Sequence, residues 1–254
     1  MVQVAVKGIS TLLLIAFVAG CATPPPRPVY LQQKEANKEL ISSSKQIEII
    51  YHPDEYSVVD IGGTKAQGLL GALGPVGLLA GFAALIAHSA TKESRAENRS
   101  AELTKLMADH YAEQSLNKEF ATQISTLLQE SGHTTLLTQL PLSADSVRNF
   151  QGTEGYAQLW LRTSLGYGAA SLTDSFKPVV LVEYTLKDST GKRLTSRTYT
   201  KYFTDSDHTF LTYSSLLSGY QQAHDELQTR LAEMSKPMYT EVFEFSDDET
   251  VASK

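Results

Sequence analysis

The sequence predicts an α+β protein in which a mostly antiparallel sheet is covered by two amphipathic helices. Two long segments, residues 92–133 and Leu216–Met234, repeat apolar residues every three or four positions, as on one face of a helix. Several short runs alternate apolar and polar residues, as in half-buried strands. Two of these runs, Pro178–Lys187 and Arg193–Phe203, flank the turn Asp188–Lys192 and predict a hairpin.

Composition narrows the choice of partners. The chain has 254 residues, with 22 basic and 28 acidic side chains and a formal net charge of −6. A negative protein has no general attraction to phosphate backbones, so we expect no nucleic-acid partner. The single cysteine, Cys21, can form no internal disulfide and needs another explanation.

Residues 1–20 have the layout of a secretory signal peptide. Lys7 precedes the uncharged apolar run 9–19, which is too short for a comfortable membrane-spanning helix. The following Val18-Ala19-Gly20-Cys21 resembles the bacterial lipobox, an aliphatic residue and two small ones before the modified cysteine. This resemblance implies a lipoprotein whose mature N-terminus is the acylated, palmitate-bearing Cys21. The alternative is an ordinary signal peptide followed by an unmodified cysteine.

The residues after Cys21 suggest how such a protein is sorted and spaced from its membrane. In Gram-negative lipoproteins an aspartate after the cysteine tends to retain the protein at the inner membrane, so Ala22 implies the outer membrane. Residues 23–28 contain four prolines and favour an extended spacer, with a recognition peptide as the alternative. We therefore predict a lipid-anchored tether over residues 21–44, one domain over 45–245 and a polar tail over 246–254.

The domain begins with two short strand patterns and an unusual apolar segment. Gln46–Tyr51 and Tyr56–Ile61 read as strands, with His52-Pro53-Asp54 breaking the pattern between them. Residues 66–91 then carry no formal charge and are long enough to span a bilayer. Pro75 within this segment allows either one kinked helix or a helical hairpin.

Glycines in the apolar segment recur at helical spacing, which would let another helix approach closely. They are Gly68, Gly71, Gly74, Gly77 and Gly81. We predict that these five residues form a membrane or oligomer contact. Two interpretations remain open: the segment is buried in protein, including oligomer contacts, or it inserts into or lies on the membrane.

The remaining elements follow from periodicity and turn residues. The helical region 92–133 has a break near Ser115–Asn117 and ends at Ser131-Gly132. Thr135–Leu140 and Tyr156–Tyr167 read as strands, the latter placing Trp160 on the face opposite Leu159 and Leu161. The sequence also predicts that Pro237 ends the last helix.

No motif in the sequence points to catalysis, a metal or a cofactor. None of the six histidines forms the i, i+4 pair of a helical metal site, and Gly62–Lys65 lacks the full phosphate-loop pattern. Asp205–His208 is the best candidate for metal ligands, but a capping loop explains it better. His224-Asp225-Glu226 is predicted to lie on a solvated helix face. Five tyrosines of the second half suit a half-exposed sheet, with an aromatic binding face as the alternative; they are Tyr156, Tyr167, Tyr184, Tyr199 and Tyr202.

The lipobox and the order of elements together resemble periplasm-facing lipoproteins with a domain like the N-terminal domain of TolB or the curli secretion lipoprotein CsgG. The apolar segment is similar in kind to that of the surface-exclusion protein TraT. These resemblances imply oligomeric, non-enzymatic roles in the envelope. We therefore predict a non-catalytic outer-membrane lipoprotein, facing the periplasm, that serves as a structural or assembly component. The alternatives are a monomeric binding module for a lipid or envelope ligand, and a hydrolase whose catalytic residues are unfamiliar.

Overall fold

A computed structural model describes residues 27–60, 90–141, 143–169, 174–202 and 209–245. Helices and strands follow one another along these residues. Their bounds are α1 Val29–Ala36, α2 Lys38–Ser43, β1 Gln46–Tyr51, β2 Tyr56–Asp60, α3 Ala90–Tyr111, α4 Leu116–Glu130, β3 Thr134–Gln139, α5 Ala144–Asn149, β4 Ala157–Ala169, β5 Lys177–Lys187, β6 Arg193–Tyr202, α6 Tyr213–Ser218, α7 Tyr220–Ala232 and α8 Ser235–Phe243. No helix in the described ranges is both long and apolar enough to cross a membrane.

The strands form one six-stranded sheet, so the predicted α+β class is confirmed. The strand order is β3-β1-β4-β5-β6, with β2 also paired to β4. β4, β5 and β6 are antiparallel as the hairpin pattern predicted, but β1 runs parallel to both β3 and β4, and β2 runs parallel to β4. The sheet is therefore mixed rather than mostly antiparallel. Long helical connections return the chain in the same direction, and strand composition does not reveal that direction.

β1 and β2 act as one interrupted strand beside β4. Ile47 is in register with Ala157, and Tyr56 is in register with Leu165 further along the same strand. His52–Glu55 separate the two halves, at the break that the sequence predicted. The 13 residues of β4 are long enough to pair with both.

The two long amphipathic regions cover one face of the sheet, as predicted. α4 packs on β1 and β3, and α7 packs on β5. Between them lies the main core, which includes Ile49, Leu161 and Val182, all at most 2% exposed. The opposite side of the sheet, which we call the second face, carries the register partners Leu136 and Glu48.

Several helix ends follow the sequence signals and one does not. The break between α3 and α4 lies at residues 112–115, where the Ser115 hydroxyl caps α4 by accepting from the Lys118 amide. Gly132 follows α4 with a φ of 85°, a conformation that favours glycine. Pro237 does not end a helix. It lies in the first turn of α8, where the amide that proline lacks would have no partner within the helix.

Helix α3 covers the outer edge of β2. The Thr104 hydroxyl accepts from the Tyr56 amide at 3.0 Å and donates to the Tyr56 carbonyl at 3.1 Å. One turn earlier, the Ser100 hydroxyl accepts from the Val58 amide at 2.9 Å. Two side chains on one face of the helix thus supply the hydrogen bonds that a neighbouring strand would otherwise provide.

Candidate functional site

Helix α1 packs against the domain and is not part of a separate tether. The predicted tether covered residues 21–44, but residues 29–43 form α1 and α2, and α1 packs on β6. Ile41 of α2 is 1% exposed within the core. The described part of the tether is thus the short stretch Arg27–Pro28. A membrane anchor at Cys21 would therefore act on the domain through α1.

A buried lysine attaches α1 to the C-terminal helix. Lys34 is 8% exposed, and its Nζ donates to the carbonyl of Glu244 at 2.6 Å. Glu244 follows α8, where the helix dipole favours a cation. The ammonium also lies 4.7 Å from the ring centroid of Phe245, within cation–π range. A charged side chain that is almost fully buried needs such partners, so this contact fixes the position of α1.

Arg197 of β6 provides the second attachment. Its guanidinium lies 4.2 Å from the ring centroid of Tyr30 and 4.4 Å from that of Tyr199, between the two rings. One of its nitrogens also donates to the Tyr30 hydroxyl at 2.8 Å and to the carboxylate of Glu241 on α8. The Tyr184 hydroxyl donates to the same carboxylate at 2.9 Å. The cluster therefore joins α1, two strands and α8 through one cation.

Hydrogen bonds from two side chains to backbone carbonyls complete the contact of α1 with β6. The Asn37 amide nitrogen donates to the carbonyl of Leu194 on β6 at 2.9 Å and to that of Gln33 at 2.8 Å. Thr195, which is fully buried, donates to the Tyr30 carbonyl at 3.4 Å. We call the contacts of α1 with β6 and α8 the anchor clamp. Its central residues are Tyr30, Lys34, Asn37, Arg197, Glu241 and Glu244.

The anchor clamp was not predicted from the sequence. Arg197 and Tyr199 are two residues apart on one strand and therefore share a face, which is the signal that could have suggested a cation–π pair. Lys34 carried no comparable signal, because its partner is a backbone carbonyl 210 positions away.

A second polar cluster fills the break between β1 and β2. The carboxylate of Asp54 accepts from the amides of Leu116 and Asn117, at 2.8 Å and 2.9 Å, and from the Ser115 hydroxyl at 2.9 Å. An acidic side chain suits this position at the N-terminus of α4. The Asn117 side chain, 3% exposed, donates to the His52 carbonyl and accepts from the Thr163 hydroxyl of β4. These hydrogen bonds join the break between β1 and β2 to α4 and β4, and so stabilise it inside the sheet.

His52 lies next to this cluster and is 7% exposed. Its Nδ1 lies 2.8 Å from the Leu140 carbonyl, which places the proton on Nδ1 as the donor. Burial lowers the pKa of the imidazole below its ordinary value, and the guanidinium of Arg162 lowers it further. The Leu140 carbonyl and Glu55 act in the opposite direction without reversing the shift.

His224 contradicts the prediction of a solvated helix face. It is 2% exposed and stacks on Tyr111 with ring centroids 3.7 Å apart and planes 5° apart. Neither ring nitrogen has a hydrogen-bond partner, although Nδ1 lies 3.5 Å from the exposed Asp225 carboxylate. The ring thus belongs to the contact between α3 and α7, and only Asp225 of the predicted triplet is exposed.

Two of the tyrosines predicted for a half-exposed sheet are buried instead. Tyr167 and Tyr184 are at most 1% exposed in the core, and Trp160 is half-buried on the second face, opposite Leu159 and Leu161 as predicted. Among the described residues, no three His, Cys, Asp or Glu side chains are placed to hold a metal ion. An open groove of about 480 Å³ lies between β2 and α3, with Glu55 and Lys105 among its lining residues.

The remaining predicted sites fall outside the described residues. They are Cys21, Gly68, Gly71, Gly74, Gly77, Gly81 and Asp205–His208. They remain predictions from the sequence.

Comparison with known proteins adds little to this picture. No family model and no curated protein matches the chain. Among the solved structures that resemble it are two crystal structures, both with low TM-scores. One is of an uncharacterized protein, at 10% identity and a TM-score of 0.34, covering 78% of this chain and 92% of that one. The other is of protein XCC0632 from Xanthomonas campestris, of family DUF330, at 12% identity and a TM-score of 0.24, covering 50% of this chain and 67% of that one.

Proposed function

We propose that this protein is an outer-membrane lipoprotein, anchored through acylated Cys21, that acts as a non-catalytic structural or assembly component of an oligomeric envelope complex. The observation that carries the proposal is the distance along the chain from the lipobox to the anchor clamp. Only seven residues, 22–28, separate Cys21 from the start of α1 at Val29. Their full extension is about 25 Å, so the domain would stay close to the membrane surface.

The anchor clamp holds the end of the proposed tether in place on the domain. A flexible tether would let the domain tumble, whereas α1 is bonded to α8 through Lys34 and to β6 through Asn37 and through the bond from Arg197 to the Tyr30 hydroxyl. The end of the tether is therefore fixed on the domain. A fixed attachment suits a component that must present one surface repeatedly to a partner.

Three carboxylates that join separate elements support a structural role. Glu48 is 2% exposed and accepts from the Thr138 hydroxyl and the Thr153 amide, both at 2.6 Å. Asp54 caps α4, and Glu241 neutralises Arg197. Each of these carboxylates is occupied in joining separate elements of the fold. A general acid or base needs a proton position that a substrate can reach.

The test is membrane fractionation of the full chain with Cys21→Ser as the variant. We expect wild-type protein to incorporate labelled palmitate and to sediment with outer membranes, and Cys21→Ser to lose the label and become soluble in the periplasm. Ala22→Asp is the matched sorting variant and should shift the labelled protein to the inner membrane.

Deletion of residues 66–91 in the Cys21→Ser background separates lipid from the apolar segment. If Cys21→Ser stays with the outer membrane and only the deletion releases it, the anchor is the apolar segment and the lipid is not required. Wild-type protein without palmitate would contradict the lipoprotein assignment itself. Crosslinking in intact cells tests the assembly role, which predicts discrete high-mass products.

A further inference from the structure

The outer edge of β3 has unpaired backbone groups. On its inner side, the Thr134 amide donates to the Lys45 carbonyl and the Leu140 amide to the Tyr51 carbonyl, both at 2.8 Å. Backbone groups alternate in direction along a strand, so every second residue between these two also faces β1. The amides and carbonyls of Thr135, Leu137 and Gln139 therefore point away from the sheet. Within the described ranges, no hydrogen-bond partner meets them.

The other strand edges are protected, and this one is not. α3 supplies hydroxyl partners to the outer edge of β2. β6 carries three cationic side chains and is contacted by α1. β3 reads Thr-Thr-Leu-Leu-Thr-Gln, without a charge, a proline or a glycine. Natural proteins usually place such residues on an exposed edge to prevent strands from pairing.

Uncharged polar side chains of α4 lie beside this edge. Gln129 of α4 donates to the Thr135 hydroxyl at 2.7 Å, and Ser125 lies 2.7 Å from the same oxygen. Thr122 lies on the same side of the helix and is exposed. On the second face, Leu136 is 39% exposed. Charged residues make up 20% of the chain but are absent from β3, and such depletion is typical of the centre of a protein interface.

We propose that β3 pairs antiparallel with β3 of a second copy, joining the two sheets across a two-fold axis. Two identical edges bring like residues together, so a charged edge would repel itself, whereas this strand carries no charge. The dimer satisfies the unpaired groups of both copies at once. Antiparallel pairing about an axis normal to the sheet keeps Leu136 of each copy on the second face, so the two side chains lie near each other.

The inference names the partner in the oligomeric role proposed above and rests on it for its setting. The anchor clamp attaches at β6, at the opposite end of the strand order from β3. Anchoring therefore leaves the β3 edge free. Tethering copies to one membrane also raises their effective concentration, which favours a pairing of modest affinity.

Charge substitution at Leu136 provides the test. The full chain is compared with Leu136→Lys, Leu136→Glu and the neutral control Leu136→Gln, all in the soluble Cys21→Ser background, by sedimentation and native mass spectrometry. We expect the reference and Leu136→Gln to dimerise and each charged variant alone to dimerise at least about tenfold more weakly. Mixing the Lys and Glu variants should restore a dimer that contains one chain of each.

A backbone variant tests the hydrogen bonds separately. Gln139 is exposed and its amide points outward, so Gln139→Pro removes one edge donor and leaves the bonds to β1 in place. The control Gln139→Ala keeps the amide and should leave dimerisation unchanged. Urea unfolding of every variant shows that loss of the dimer is not loss of the fold.

Three results would overturn the inference. They are a monomeric reference protein, charged variants that dimerise normally, and charged variants that dissociate but do not recombine when mixed. The last result would show that the two Leu136 side chains do not lie near each other, as the proposed pairing requires. Membrane attachment of Cys21→Ser would contradict only the proposed lipid anchor, because self-association is measured without the lipid.

Discussion

The Nζ of Lys34 donates a 2.6 Å hydrogen bond to the carbonyl of Glu244, joining the first helix of the described chain to the end of the last. The ammonium is buried, so losing its contacts with the carbonyl and the aromatic ring would lower the stability of the fold. This bond joins α1 and α8 into one unit. It also provides the simplest way to loosen the anchor clamp without touching the sheet.

Lys34→Met should release α1 from α8. The methionine keeps an apolar stem of similar length and loses the charged donor, so we expect unfolding in urea to show a loss of about 1–3 kcal/mol. Limited proteolysis should then cut within residues 27–44. Glu35→Gln is the control, because Glu35 is exposed on the same helix and should change neither measurement. Equal protection of α1 in both variants would show that Lys34 does not hold it.

Arg197 and Glu241 should be energetically coupled. Their side chains are 30% and 17% exposed, so solvent screens the ion pair only in part. In a double-mutant cycle with Arg197→Met and Glu241→Gln, we expect a coupling energy of about 1–3 kcal/mol. Tyr30→Phe removes one hydroxyl but keeps the ring under the guanidinium, so its effect should be smaller than that of Arg197→Met. Strictly additive effects would show that the pair contributes nothing.

His224→Phe should stabilise the protein. The substitution keeps an aromatic ring stacked on Tyr111 and removes two buried nitrogens that have no partners. Leaving a buried polar group unpaired costs about 1–3 kcal/mol, so a gain of that order in the free energy of unfolding is expected. Asp225→Asn, at the neighbouring exposed position, is the control. A destabilised His224→Phe protein would mean that the imidazole nitrogens are engaged in the native state.

His52 should make stability depend on pH. Because burial lowers its pKa in the folded state, the unfolded chain binds a proton at higher pH than the folded chain does. Its contribution is therefore complete above the ordinary histidine pKa of about 6.5 and is lost as pH falls through the window below that value. His52→Asn can retain a donor to the Leu140 carbonyl but cannot titrate. Urea unfolding from pH 8 to pH 5 should show a smaller decline in this variant than in wild type, and parallel declines would contradict the assignment.

Gly166→Ala should weaken the pairing of β2 with β4. A Cβ on Gly166 would lie 2.0 Å from the backbone carbonyl oxygen of Ser57, so one of the two strands would have to move. We expect a loss of about 2 kcal/mol or more in the free energy of unfolding, and faster hydrogen exchange at the Ser57 amide, which faces β4 because the Tyr56 and Val58 amides face α3. Ser164→Ala on the same strand is the control and should have little effect. An unchanged stability would show that the two strands separate easily.

The elements that the sequence predicted are those with local signals. The hairpin of β5 and β6 follows from Asp188–Lys192 and the alternation on either side, and the break at Ser115 follows from the interrupted apolar stripe. Strand direction was not predicted, because the parallel pairing of β1 depends on connections and not on the composition of β1 itself.

The polar clusters were harder to predict. Lys34 binds a backbone carbonyl and Asp54 binds backbone amides, both far away in sequence. Every residue type has such backbone groups, so the sequence does not show which of them a side chain will bind. His224 was misassigned because its neighbours Asp225 and Glu226 are polar, although Ala223 and Leu227 placed it beside the buried face. The partner helix determines whether a side chain at the border of an apolar stripe is buried. Sequence periodicity within one helix does not describe that partner.

The interior position of β1 also determines when the sheet can form. β1 lies between β3 and β4, yet β4 does not begin until Ala157. A chain that emerges from a ribosome or an export channel with its N-terminus first must wait for residues far downstream before this strand gains both neighbours. Because pairings that distant in sequence form slowly, the sheet would form around β1 only late, after β4 has been synthesised.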